Sequence, residues 1–231
     1  MRIISNESKI RRNARIGQVA AILGLLILLA GMIVAFRWPN LFTYSWGALL
    51  LGFILSQVGI YFGNRWGRRP RPDEHLANAL KGLDDRFSLY NWSSPVSHLL
   101  VGPAGVWILI PRSQAGKVTF EKGRWRVKGG GVLRAYLNLF AQEGLGRPDL
   151  DVAAETQTME RFFKKNLPEE DQPEIQAALV FTNDQSVVED MDEAPVPTVP
   201  VRKLKEVIRK AGKNKSLSAT KVDLICQALE S

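Results

Sequence analysis

Two apolar runs without a single Asp, Glu, Lys or Arg open the chain: Gly17 to Phe36 (GQVAAILGLLILLAGMIVAF) and Trp46 to Phe62 (WGALLLGFILSQVGIYF). Each approaches the roughly 20 residues that an α-helix needs to cross a bilayer. Gln18, at the edge of the first, and Gln57, inside the second, are their only strongly polar members. A core helix of a soluble protein shows a polar face at helical period, and neither run has one. The pattern predicts an integral membrane protein with two spans, so a lipid bilayer is its first expected partner. A cleaved signal peptide followed by one span is the competing reading. The first run exceeds the usual apolar segment of a signal peptide, and no small-x-small cleavage site follows it.

The charges predict which way the hairpin faces. Arg2, Lys9, Arg11, Arg12 and Arg15 precede the first span, and Arg65, Arg68, Arg69 and Arg71 follow the second. The connecting loop, Arg37 to Ser45, holds one positive charge. Lys and Arg near span ends stay on the cytoplasmic side, which predicts that both termini are cytoplasmic. Trp38, Tyr44, Trp46, Tyr61 and Trp66 lie near the span ends, where amphipathic rings favour the headgroup level. The expected organisation is a basic cytoplasmic tail (1–16), a two-helix hairpin (17–62), a basic linker (63–72) and a cytoplasmic domain (73–231). Small residues recur every seven positions on both spans: Gly17, Gly24, Gly31, then Ser45, Gly52, Gly59. That spacing keeps one face toward a partner helix, and small residues allow close approach. Antiparallel pairing sets Gly24 against Gly52 and Gly17 near Gly59.

The formal net charge of +8 suggests a polyanion partner until the charges are located. Ten of the 31 basic residues lie at or before Arg71, against one of the 23 acidic residues, Glu7. The remainder is nearly neutral and carries no electrostatic signature of nucleic-acid binding. Cys226 is the only cysteine, which excludes an intrachain disulfide and a thiolate zinc cluster. It lies on an expected C-terminal helix beside Leu224 and Ile225, as a buried thiol. His75 and His98 are the only histidines, so His-rich metal sites are excluded.

After the linker, periodicity predicts a helix over Asp73 to Leu83 with Asp73 as N-cap, and strands over Phe87 to Trp92, Ser97 to Val101 and Val106 to Ile110. GPAG joins the last two as a hairpin. Lys117 to Glu121 and Trp125 to Lys128 form a second hairpin around Lys122-Gly123. Gly129 to Gly131 breaks the chain before an apolar stretch in 132–144. A helix is expected over Asp151 to Lys165 with Met159, Phe162 and Phe163 on its core face. Ala177 to Thr182 reads as a strand buried on both faces, and Val196 to Val201 as a short strand. Arg202 to Ala211 and Ala219 to Glu230 read as closing helices. The acidic stretch Glu189 to Glu193 and the basic helix from Arg202 to Lys210 could pair, but read better as solvated surfaces. This order predicts an α/β domain with a mixed sheet.

EHLANALKGL (Glu74 to Leu83), HLLVGPAGVWILIPR (His98 to Arg112), GKVTF and ALVFTN (Ala178 to Asn183) together resemble the nuclease-related domain (NERD) family. That family is an offshoot of the PD-(D/E)XK nucleases. The resemblance spans roughly 73–210, and HLLVGPAGVW is its most specific part. It implies a restriction-endonuclease-like fold. It also implies a site in which an Asp ends one hairpin strand, and a Glu and a Lys lie two apart on the next. The carboxylates of such a site hold Mg²⁺, and the Lys handles the attacking water. The first-helix Glu of the family falls on Glu74. Its Asp falls on Ser97, its second Glu on Ile110 and its Lys on Arg112. Ser97 is a poor ligand, Ile110 cannot ligate, and Arg112 keeps a charge but cannot act as a base. Pro111 predicts that the strand ends there or lies at an edge. The expected protein is a binding or scaffolding module that has lost nuclease chemistry, with no metal, no cofactor and a protein partner of unknown identity.

The alternative is a Mg²⁺-dependent nuclease with a rearranged site, for which Glu121, Asp84 and Asp85 are the nearest candidate ligands in sequence. Glu74 also reads as an ordinary first-turn helix charge, and His98 as a half-buried hairpin residue. A third reading makes the flanking arginines a sensor of anionic lipid. KGGGV offers backbone N–H groups to an anion, but reads better as a chain break. No P-loop, nucleophile elbow, zincin or EF-hand motif occurs.

Overall fold

The long apolar runs become two helices because a Leu- and Ile-rich stretch without charge satisfies all its polar groups internally only as a helix. In the computed structural model, which describes residues 1–128, 145–189, 191, 193–214 and 216–230, α1 spans Glu7–Arg37 and α2 spans Phe42–Phe62, joined by the turn Pro39–Leu41. Both are long and apolar enough to cross a membrane. Their large apolar side chains point outward: Ile22, Leu25 and Leu26 of α1 and Leu50 and Ile54 of α2 are all more than half exposed. From Gly17 on, the buried positions of the two helices are the small ones: Gly17, Ala20, Gly24, Gly31, Ser45, Gly52 and Gly59. A Cβ on Gly24 would lie 2.9 Å from the Gly52 carbonyl oxygen, so these two glycines face each other as the spacing predicts. Gly17 and Gly59 do not. Gly17 abuts Phe62 and Gly59 abuts Ala21, about one turn out of register.

Described separately, the second compact unit comprises Met1–Asn6 together with the described residues from Pro72 on. Residues 2–5, expected within a basic tail, instead form β1 (Arg2–Ser5), which pairs parallel with β2 (Ser88–Asn91). Two backbone bonds close the ends of this ladder: Arg2 N–H donates to the Phe87 carbonyl (2.8 Å) and Asn6 N–H to the Asn91 carbonyl (3.0 Å). β3 (His98–Gly102) and β4 (Gly105–Arg112) follow antiparallel. β7 (Ile175–Phe181) and β9 (Thr198–Pro200) then extend the sheet in parallel, giving the order β1-β2-β3-β4-β7-β9. A smaller sheet, β6-β5-β8, contains β5 (Gly116–Glu121), β6 (Arg124–Lys128) and β8 (Ser186–Val188). The β5–β6 turn places Lys122 (φ 53°) and Gly123 (φ 71°) in the left-handed region, the geometry of a two-residue hairpin whose twist matches its strands.

Strand alternation sorts the core into two layers. Leu99, Val101, Ile108, Ile110, Leu179 and Phe181 pack with Met159 and Phe163 of α4 (Pro148–Asn166) and with Val222 and Ile225 of α6 (Ala219–Glu230). Leu100, Trp107, Leu109, Ala178 and Val180 pack with Leu76 and Leu80 of α3 (Pro72–Leu80) and with Leu204 and Ile208 of α5 (Leu204–Asn214). β7 is thus buried on both faces, as its unbroken apolar run predicts. α3 starts at Pro72 and stops at Leu80, so Asp73 lies in its first turn and not at the cap. Phe162 is half-buried, whereas Met159 and Phe163 are buried. Cys226 is half-buried. Of the acidic stretch, Glu189 pairs with Lys117 (2.6 Å) and not with the basic helix. The expected chain break and apolar stretch over 129–144 lie outside the described residues.

Candidate functional site

Ser97, Ile110 and Arg112, the positions that the sequence resemblance singles out, lie where β4 leaves its antiparallel neighbour. Pairing between β3 and β4 reaches only as far as Leu99–Ile108, while β4 runs on beside β7 to Arg112–Phe181. Pro111 therefore does not end the strand. The Arg112 carbonyl accepts the Thr182 N–H (2.8 Å), so the polar groups of Arg112 face β7. Those of Pro111 face the side where β3 has stopped, and its missing N–H costs no ladder bond.

Ile110 shares a face with Ile108 and is only 4 % exposed inside the core. Continuing the register by two residues sets Ser97 across from it. Ser97 is half-buried, and its carbonyl accepts the Trp92 N–H (2.9 Å). Arg112, on the same face, forms an ion pair with Asp151 in the first turn of α4, where a carboxylate also complements the helix dipole. The Arg112 Nε is buried without a hydrogen-bond partner among the described residues. Glu74 is half-buried on α3, whose Leu76 and Leu80 pack in the opposite layer. The fold thus gathers Ser97, Ile110 and Arg112 on one face and carries Glu74 on a helix of the other.

His98 is buried, not half-buried. Its Nδ1 lies 3.0 Å from the Asn91 Oδ1, and its ring meets Trp92 edge-on at 4.7 Å. An amide oxygen only accepts, so this contact puts the proton on Nδ1. The three acids nearest in sequence are engaged elsewhere. Glu121 accepts from Lys128 (2.7 Å) and Thr119 (3.0 Å), which hold its carboxyl below the ordinary range. Arg86 does the same to Asp84 (2.6 Å). Asp85 meets the Met1 ammonium at 2.8 Å. Among the described residues no group of three or more His, Cys, Asp or Glu is placed to hold a metal ion. The acid beside Arg112 is Asp151, 39 residues away in sequence, and no local motif marks it.

A second polar cluster lies toward the β1 edge of the sheet. The Tyr90 hydroxyl donates to the Glu230 carboxylate (3.0 Å), which also pairs with Arg2. Arg2, Arg86, Ser88, Asp223 and Cys226 help to line a cleft of about 200 Å³ beside it. Burial first, and the neighbouring Cys226 thiol second, push the Tyr90 phenol well above its ordinary value of 10.0. As pH rises past that value the unfolded chain releases the proton and the folded chain keeps it, so stability falls with pH. Melting curves at neutral pH and near pH ~11 are expected to show a steeper alkaline loss in the wild type than in Tyr90→Phe. At neutral pH the variant should be lower by about 0.5–1.5 kcal/mol, one hydrogen bond. Equal alkaline slopes would show that Tyr90 is not the responsible group.

No protein-family model, curated protein or solved structure matches the chain. One buried isoleucine, one neutral serine and an arginine tied to a carboxylate do not make a two-carboxylate metal site.

Proposed function

We propose that the chain is a two-span membrane protein whose cytoplasmic, nuclease-like domain has lost metal chemistry and serves as a binding or scaffolding module. The order helix, three antiparallel strands, helix, parallel strand (α3, β2–β4, α4, β7) supports a restriction-endonuclease-like framework. The outward leucines of α1 and α2 support a lipid environment, because an exposed apolar surface of this extent needs a cover. That the residues before α1 and those after α2 belong to one folded unit supports a reading in which both flanks of the hairpin share one side of the membrane. The concentration of Arg and Lys in those flanks favours the cytoplasmic side.

The observation that carries the loss of chemistry is Ile110. By the resemblance it falls where the family carries a metal-binding carboxylate, and it is packed into the core with Arg112 beside it held by Asp151. The near-neutral domain supports a protein partner over nucleic acid. Calorimetry of the detergent-solubilised chain with Mn²⁺, alongside a nuclease assay with Mg²⁺ and Mn²⁺, tests the reading. No saturable metal binding and no cleavage are expected. Metal-dependent cleavage that Glu74→Ala abolishes would establish the rearranged nuclease instead.

A further inference from the structure

The end of the helical hairpin that carries both chain connections is strongly and asymmetrically charged. A Cβ on Gly17 would lie 2.9 Å from the Phe62 Cβ and 3.0 Å from the Gly63 nitrogen, so the start of the apolar run of α1 abuts the end of α2. Lys9, Arg11, Arg12 and Arg15 therefore lie at the same end as the turn Gly63–Gly67 and Arg68. The opposite end has Arg37 alone. The only acid in Glu7–Arg71 is Glu7.

Arg11, Arg12, Arg15 and Arg68 are exposed. Among the described residues no hydrogen bond or ion pair engages the guanidinium of any of the four. Beneath them lies an aromatic layer. The Trp66 ring is buried, 5.0 Å from Phe62 and 6.1 Å from Tyr61, and the Arg65 guanidinium stands 5.2 Å above it. Aromatic rings of this kind mark the headgroup level of a bilayer. About 30 Å of helix, the rise of Gly17 to Phe36, separates this layer from the Phe42–Trp46 pair at the other end. That distance matches the hydrocarbon thickness. Four unpaired guanidinium groups thus stand just outside the apolar slab, where phosphates of lipid headgroups lie.

We propose that Arg11, Arg12, Arg15 and Arg68 form a binding surface for anionic phospholipid headgroups, so that the protein gathers acidic lipid around this end of its hairpin. Planar guanidinium groups suit phosphate because two N–H donors meet two oxygens at once. The inference rests on the two helices spanning a bilayer, and it goes further by naming the lipid chemistry. It draws on no residue of the nuclease-like domain.

The test uses the full chain reconstituted into phosphatidylcholine vesicles with and without phosphatidylglycerol. Spin-labelled phosphatidylglycerol and phosphatidylcholine report the relative affinity of the protein for each lipid. The wild type should prefer phosphatidylglycerol, and raising the salt should weaken that preference. Each Arg→Gln change should reduce it by up to roughly fivefold at low salt. The fourfold Arg→Gln variant should show little preference, and the fourfold Arg→Lys variant should regain most of it. A fourfold Arg→Gln variant that keeps the wild-type preference would overturn the inference alone, as would insertion without preference in the wild type. Release of the labelled lipid by inorganic phosphate at modest concentration would overturn it in favour of a free-anion site. A chain that floats with neither vesicle would overturn the spanning reading and this inference together.

Discussion

Ile110→Glu, which introduces the acid that the proposed framework would need for metal, is expected to destabilise the domain by about 3–5 kcal/mol, the usual cost of an uncompensated buried charge. A domain of ordinary stability has only about 5–15 kcal/mol in total. Ile110 is 4 % exposed among Ile108, Leu179 and Phe181. The change removes an apolar contact and buries a carboxyl group there. Arg112, two residues along on the same face, is already held by Asp151 and offers no free counter-charge.

The effect has a sign in pH. In the unfolded chain the new carboxyl titrates near ~4.3, and burial raises that value in the folded chain. Above ~4.3 the unfolded state sheds its proton first, so the destabilisation grows with pH until the folded group also ionises. Ile110→Gln should be destabilised without that pH dependence. Tryptophan-monitored unfolding of both variants across the acid range checks this. An Ile110→Glu protein as stable as the wild type that binds Mn²⁺ would mean that this position is open to metal.

That contrast bears on what the amino-acid sequence discloses. Strong local signals carried the elements they belong to. The uncharged runs gave α1 and α2, Gly102-Pro103-Ala104-Gly105 gave the β3–β4 turn, and the unbroken apolar run gave β7. β1 was invisible for a physical reason. Arg-Ile-Ile-Ser is four residues long and sits among charges, and its partner β2 lies more than eighty residues away. Its pairing is made of backbone bonds that any residues would make. β8 was missed for the same reason, since its three residues find β5 from the far side of α4. At the candidate site, the placement of Ser97, Ile110 and Arg112 on neighbouring hairpin strands was legible from the alternation and the turn signal between them. The partner of Arg112 was not. Asp151 reads in sequence as one more acid in a helix's first turn, and only the packing of α4 on the sheet brings it to β4. The Tyr90–Glu230 bond joins residues 140 positions apart and was equally silent.

Gly24→Leu combined with Gly52→Leu is expected to separate the two long helices. At both positions a side chain (Ser56, Leu28) is backed by backbone, which cannot swing aside. A Cβ at Gly24 would meet the Ser56 nitrogen at 2.8 Å and the Gly52 oxygen at 2.9 Å. A Cβ at Gly52 would meet the Gly24 oxygen and the Leu28 nitrogen, each at 2.9 Å. Leucine adds three further carbons at each place. Overpacking of this kind costs about 1–3 kcal/mol per site, so the closely paired population should fall by roughly tenfold or more. The reporter is a disulfide between Gly31→Cys and Ala48→Cys in a Cys226→Ser background. A Cβ at Gly31 lies 3.0 Å from that of Ala48, near the ~3.8 Å that a disulfide spans. Oxidation should crosslink the helices efficiently in the parent and poorly in the double leucine variant. Gly47→Leu is the matched control, because nothing lies within 4 Å of its Cβ position and crosslinking should be unchanged. Undiminished crosslinking in the double variant would show that the seven-residue run of small side chains does not hold the helices together.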